Sequence, residues 1–228
     1  MRNYTVNWGK FLILRWFVAS WLLHGVHVLD KTERMLYVCF EMLALLLFYA
    51  MMFLCGVKCW VWYVVAFAVL HTITWLVDSH WLVGYREVDT RFRGKGIAAV
   101  IGYLEKVKDE LSNYPNIESI GVYGSMSRRM FHDRSDLDLR VIQNGFSLPL
   151  FFKIQQLRFV GIWKYKIPLD LKLVDSVEYV KNEMREDEKP IMIFKRHASF
   201  YNEGVSFEDL KKEPEKFTKA YTLSSQNL

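Results

Sequence analysis

Residues 121–141 read GVYGSMSRRMFHDRSDLDLRV. An apolar run ends in Gly124-Ser125, ten residues follow, and Asp136-Leu137-Asp138 opens a second apolar run. Alternate residues of a strand point to one face, so Asp136 and Asp138 share a face. Asp170, in the segment IPLDLKLV (167–174), lies inside another apolar run. If the two strands are neighbours, three carboxylates converge. Three acids in an apolar sheet are costly unless cations neutralise them. Hard divalent ions held by oxygen ligands do this, most commonly Mg²⁺ together with nucleotide phosphates. Two such ions can stabilise both the attacking and the leaving oxygen of a phosphoryl transfer. The preceding turn suits the same chemistry. Gly124 lets the backbone approach a phosphate, and Ser125 can open a helix whose amino-terminal amides face an anion.

The stretch resembles the DNA polymerase beta-like nucleotidyltransferases, particularly their minimal members. Their signature is Gly-Ser, a spacer of about ten residues, Asp-x-Asp on a strand and a third acid on a later strand. The segments GSMSRRMFHDRSDLDLRV and PLDLKLV match that order and spacing, and the resemblance covers residues from about 95 to 195. It implies an α/β (α+β) mixed-sheet domain that is a metal-dependent enzyme, with NTP and acceptor giving NMP-acceptor and pyrophosphate. Asp136, Asp138 and Asp170 would be the catalytic and metal-binding acids, with Mg²⁺ or Mn²⁺ as cofactor, and Asp170 could help deprotonate the acceptor. Gly124, Ser125, Arg128 and Ser135 would bind the nucleotide. Arg129 stands where glycine is common, a departure that bears on the geometry of the turn.

The rest of the chain differs in character. Its 228 residues suffice for one ordinary domain and an appendage. The net charge of +5 comes from Lys, Arg, Asp and Glu in mixed order, with no basic stripe interleaved with aromatics. The excess therefore reads as attraction to anionic headgroups or phosphates, and nucleic acid is not an expected partner. Cys39, Cys55 and Cys59 lack paired CxxC spacing, so neither a zinc site nor a disulfide scaffold is indicated, and buried reduced thiols are expected. The amino-terminal apolar stretch contains Arg15 and ends at His24, His27 and Asp30, which is unlike a cleavable signal peptide.

Residues 35–55 and 59–77 are each about the 20 residues needed to cross a bilayer core, and the connection Gly56-Val57-Lys58 makes them an antiparallel hairpin. Seven of the eight tryptophans precede residue 82, several near segment ends, as interfacial anchoring predicts. Arg86, Arg91, Arg93 and Lys95 follow the hairpin, and Arg2 and Lys10 precede it. The positive-inside bias puts both groups in the cytoplasm, which two crossings satisfy and three do not. The expected organisation is therefore a membrane region over 1–82, comprising an interfacial or re-entrant helix 8–29 and transmembrane helices 35–55 and 59–77. A basic linker 83–96, the nucleotidyltransferase domain 97–204 and a polar tail 205–228 follow. The protein would be integral to a plasma or inner membrane, with its catalytic domain cytoplasmic.

Within the domain, periodicity predicts helices over 97–111, 148–160 and 176–184 and strands over 117–123, 137–142, 167–174 and 190–194. Glu41 is the costly residue of the hairpin and is expected to pair with a histidine of the neighbouring helix or line a polar notch. His24, His27, His71, Asp78 and His80 suit interhelical hydrogen bonds or interface positions, or acceptor binding, better than a metal site. His132, Asp133 and Arg134 read as a solvated loop, as does Arg185–Lys189. Lys164, Lys166, Lys195, Arg196 and His197 suit either a phosphate contact or a solvated basic edge. The expected partners are a nucleoside triphosphate, a small or lipid-linked acceptor and the bilayer. The favoured function is nucleotidylation in surface glycan or lipid precursor synthesis. The alternatives are nucleotidylation of a protein or antibiotic, and a non-catalytic nucleotide-sensing membrane module.

Overall fold

The computed structural model describes residues 18–22, 31–77, 81, 94–196 and 204–219. The expected helix 8–29, apart from one π-helical turn at Val18–Leu22, lies outside them. So do Arg2, Lys10, Arg15, His24, His27, Asp78, His80, Arg86, Arg91, Arg93 and His197.

Two apolar helices come first, α1 (Lys31–Leu54) and α2 (Trp60–Val77). By length and composition α1 is able to cross a membrane, whereas the apolar stretch Trp60–Leu76 of α2 is shorter than that criterion requires. The two are joined within the hairpin by the ion pair of Glu41 with His71 Nδ1, and His71 Nε2 lies 2.8 Å from the carbonyl oxygen of Trp21. Glu41 thus has the histidine partner that its position demanded. The three cysteines are free but exposed, not buried as expected: Cys55 and Cys59 lie in the connection between the two helices, and Cys39 lies on an outward position of α1.

The domain is a mixed five-stranded sheet. Helix α3 (Ile97–Leu111) leads to β1 (Ile117–Tyr123), one helical turn (Gly124–Ser127) and β2 (Leu137–Gln143). Helix α4 (Leu148–Trp163) then crosses to β3 (Leu169–Val174), and α5 (Val177–Glu183) precedes β4 (Ile191–Lys195). Ser147 and Ser176 start α4 and α5 by accepting from the N–H three residues ahead, the usual amino-terminal cap. The strand order is β3-β2-β1-β4-β5, where β5 is Val205–Ser206. Strand β1 runs antiparallel to β2 and β4, and β2 runs parallel to β3.

Alternation divides the sheet. Leu137, Leu139 and Val141 of β2 and Leu169, Leu171 and Leu173 of β3 join Leu150, Ile154 and Leu157 of α4 and Val100, Tyr103, Leu104 and Val107 of α3 in the main core. The even-numbered residues of both strands, acids included, take the opposite face. Among the described residues, the apolar cluster on that side is a small one at α5 (Tyr123, Ile142, Val174, Val177, Val180).

The segment 205–219 is not a polar tail. Phe207 and Leu210, three apart on α6 (Phe207–Lys212), and Phe217, in the 3-10 turn Pro214–Phe217 that follows, enter the core. Phe131 N–H donates to the Phe217 carbonyl at 3.0 Å and Lys219 N–H returns to Phe131 at 2.7 Å, which ties the segment to the loop before β2.

The hairpin is fastened to the domain at a buried ion pair. Glu33, in the first turn of α1, pairs with Arg158 of α4, and both side chains are 0% exposed. Arg158 Nε donates to the Leu171 carbonyl at 2.9 Å, and Leu173 N–H donates to Glu33 Oε2 at 3.2 Å. Strand β3 is the sheet edge, so the pair satisfies outward backbone groups that would otherwise be open to another strand.

Candidate active site

Asp138 and Asp170 are register partners on β2 and β3, so the parallel pairing sets the two carboxylates side by side. Asp136 precedes β2 on the same face. The turn Gly124–Ser127 closes over them from the end of β1. Gly124 has φ +66°, and a Cβ built there would lie 1.8 Å from Asp138 Oδ2. No other residue fits this approach without moving the acid. Gly124→Ala is therefore expected to lower stability by about 1–3 kcal/mol and to remove nucleotidyl transfer, checked by thermal unfolding and product formation.

Two cations that the sequence reading did not single out lie among the acids. Arg140 is two residues beyond Asp138 on β2, and Lys172 two beyond Asp170 on β3, so alternation sets both on the acidic face and could have found them. Arg140 donates from Nη2 to Asp170 Oδ2 at 2.9 Å and from Nη1 to the Asp170 carbonyl at 2.7 Å, and its Nη2 is 3.7 Å from Asp138 Oδ1. Lys172 Nζ lies 3.8 Å from Asp170 Oδ2 and 3.4 Å from Glu183 Oε2. Burial works against the Arg140 charge, but Asp170, Asp138 and Glu183 outweigh it and raise its pKa above the usual arginine value. Asp138 moves the other way from most carboxylates. Burial pushes it up to about 8, Asp136 adds to the shift, and Arg140 only partly opposes it.

Glu188 was also missed. Its neighbours Arg185 and Asp187 are exposed as expected, but the Glu188 side chain is 7% exposed and turns into the site. Its Oε2 accepts from the Gly124 N–H at 3.3 Å, and its Oε1 is 3.8 Å from Arg128 Nε. A carboxylate thus lies at the amide and guanidinium where an incoming phosphate was expected. Arg128 Nε also donates to the Gly124 carbonyl at 3.2 Å, folding back along the turn. The Ser125 hydroxyl is buried with no hydrogen-bond partner among the described residues. Ser135 is engaged in the loop, its Oγ accepting from the His132 N–H at 3.1 Å. Arg129 takes φ +59°, so the turn retains the left-handed conformation that glycine would adopt freely, with the guanidinium 5.6 Å above the Phe217 ring.

The donor set of Asp136, Asp138 and Asp170 is all oxygen, which suits a hard divalent ion. Yet among the described residues no three acids, imidazoles or thiols are gathered as a ready metal site. Arg140 places positive charge between Asp138 and Asp170.

Residues 105–197 match the family model described as "Polymerase beta, Nucleotidyltransferase". Both Asp-bearing strands and the Gly-Ser turn lie within that span, and the hairpin lies outside it. A solved structure described as a "putative nucleotidyltransferase from Sulfolobus solfataricus" is similar at 24% identity, over 48% of this chain and 97% of that one, with a TM-score of 0.30. No curated protein matches. The match to a nucleotidyltransferase domain is thus confined to residues 105–197, less than half of the chain.

Proposed function

We propose that the chain is a membrane-anchored nucleotidyltransferase that moves a nucleoside monophosphate from an NTP to a small or lipid-linked acceptor, in the synthesis of surface glycan or lipid precursors. The observation that carries this reading is the in-register pairing of Asp138 with Asp170 beneath a turn that only glycine fits. Asp136, Asp138 and Asp170 would hold Mg²⁺ or Mn²⁺, which when bound neutralises charge on the phosphates. The protein's own groups supply position. Arg140 orients Asp170 by holding both its backbone carbonyl and its carboxylate, and the carboxylate would be the group that receives the proton of an acceptor hydroxyl. The Gly124 N–H and Arg128 face one anionic position, which Glu188 occupies and a phosphate would take from it. Transfer then needs little more than alignment and charge compensation.

The anchoring part rests on the apolar length of α1 and on the docking of both hairpin helices to the domain. Glu33 fastens α1 to Arg158, and Trp75 of α2 reaches Trp163 through Trp81, with ring centroids 5.8 and 5.9 Å apart. Both outer ends of the hairpin therefore lie at the domain, consistent with two crossings and a domain on the cytoplasmic side, where nucleoside triphosphates are available.

Arg128→Ala should raise the nucleotide KM by about tenfold or more, the loss of one charge-assisted contact. Arg129→Ala should change it little, because Arg129 faces Phe217. Arg128→Lys should recover only part of the loss, since a fork becomes a point charge. Nucleotide titrations of the three variants check this, and an Arg128→Ala enzyme with unchanged KM and kcat would remove the residue from the site.

A further inference from the structure

Helix α4 reads LPLFFKIQQLRFVGIW and is apolar on more than its core face. Leu150, Phe151, Ile154, Leu157, Gly161 and Ile162 are buried. On the opposite side Leu148, Phe152, Phe159 and Trp163 stand 41%, 52%, 46% and 41% exposed. At about 100° per residue these four fall within one stripe about 60° wide. A helix at a water-facing surface should be polar there, and an apolar stripe left this exposed marks a contact surface.

The hairpin identifies the contact. Phe40 of α1 stacks on Phe151 at 5.6 Å and meets Phe152 at 5.3 Å. Trp81, beside α2, meets Trp163 at 5.9 Å. The stripe is thus continuous with the apolar helices at both its ends. Their length adds a depth. Phe40 lies 14 residues before Leu54, about 21 Å along the helix, whereas the hydrocarbon core is about 30 Å thick. A hairpin that spans the core therefore carries Phe40, and the rings packed on it, below the hydrocarbon boundary. Cations stand where headgroups would be: Lys166 Nζ lies 5.6 Å over the Trp163 ring, and Lys95 Nζ donates to the Lys164 carbonyl at 3.1 Å.

We propose that the outer face of α4 lies in the interfacial region of the bilayer, so that the domain rests on the membrane as well as being tethered to it. This rests on the membrane-anchored reading. It also limits the acceptor. The acids face away from α4 across the sheet, so more than one helix diameter, about 10 Å, separates them from lipid. The reacting hydroxyl must stand clear of the headgroups, as in a soluble molecule or an extended polar headgroup.

Nitroxide labels decide it, in the full-length protein with Cys39, Cys55 and Cys59 changed to Ser, in phosphatidylethanolamine–phosphatidylglycerol vesicles. Single cysteines replace Leu47 in mid-α1, Leu148 and Phe159 on the stripe, and Lys181 on α5. The expected result is an oxygen-to-nickel-chelate accessibility ratio several-fold higher at 47, 148 and 159 than at 181. A high ratio at 47 with water-like values at 148 and 159 overturns the surface and leaves the anchor standing. A water-like value at 47 overturns both. Labels at 148 and 159 shielded from both reagents, as a second copy of the chain would shield them, also overturn the proposal.

Discussion

Asp138→Asn is expected to reduce nucleotidyl transfer by about a hundredfold or more, the scale of losing a charge-positioning group at a reaction centre. The same change should make the metal-free protein less sensitive to pH. Burial and then Asp136 raise the Asp138 carboxyl from 3.8 to about 8, so the folded state holds a proton there that the unfolded chain has released. The sign follows: stability is greatest below about pH 4, falls as pH rises towards 8 and levels off above it. The slope is at most about 1.4 kcal/mol per pH unit, the limit for a difference of one bound proton. Asparagine carries no such proton, so thermal unfolding of the variant and the wild type should agree near pH 4 and separate, in the variant's favour, by pH 8. A wild-type-like turnover would remove Asp138 from the chemistry. An absent pH-dependent difference would remove the buried-carboxyl argument alone.

Arg158→Met should destabilise the full-length protein by about 3–5 kcal/mol, the cost of leaving a buried charge without its partner. Glu33 is 0% exposed, and Arg158 also covers the Leu171 carbonyl at the sheet edge. Glu33→Leu should cost a similar amount. The pair changed together should recover part of either loss, because two apolar side chains fill the space but leave the Leu171 and Leu173 backbone groups unpaired. Urea unfolding in detergent measures all three. A single-variant loss below about 1 kcal/mol would show that the hairpin and the domain are independent of this contact.

Strands β1 to β4 were legible because each carries a largely apolar or alternating run with a turn signal beside it. Helix α3 matched its expected bounds, and α4 ran three residues beyond the expected Val160, to Trp163. The three acids could be read from spacing alone, whereas their convergence depended on β2 and β3 being neighbours, which the pairing provides. Arg140 and Lys172 were within reach of the same alternation argument. They were passed over because a cation inside an apolar strand reads as an exception until the acids beside it are seen. Glu188 had no such signal: it lies in a charged loop, and only the return of β4 beside β1 brings it to Gly124. The contact between Glu33 and Arg158 links residues 125 apart in the chain, and nothing local announces it. Phe207, Leu210 and Phe217 show the converse error, where a high density of charge concealed the few apolar residues that the core takes up.

Incubation of the purified full-length protein and Mg²⁺ with a cell membrane fraction and each nucleoside triphosphate, labelled in turn at the α- and the γ-phosphate, tests the central claim most directly. The account predicts that α-label from at least one nucleotide enters a product, that γ-label leaves as pyrophosphate, and that Asp138→Asn stops both. Transfer of γ-label, or nucleotide binding with no α-label in any product from membrane or soluble fractions, would contradict it.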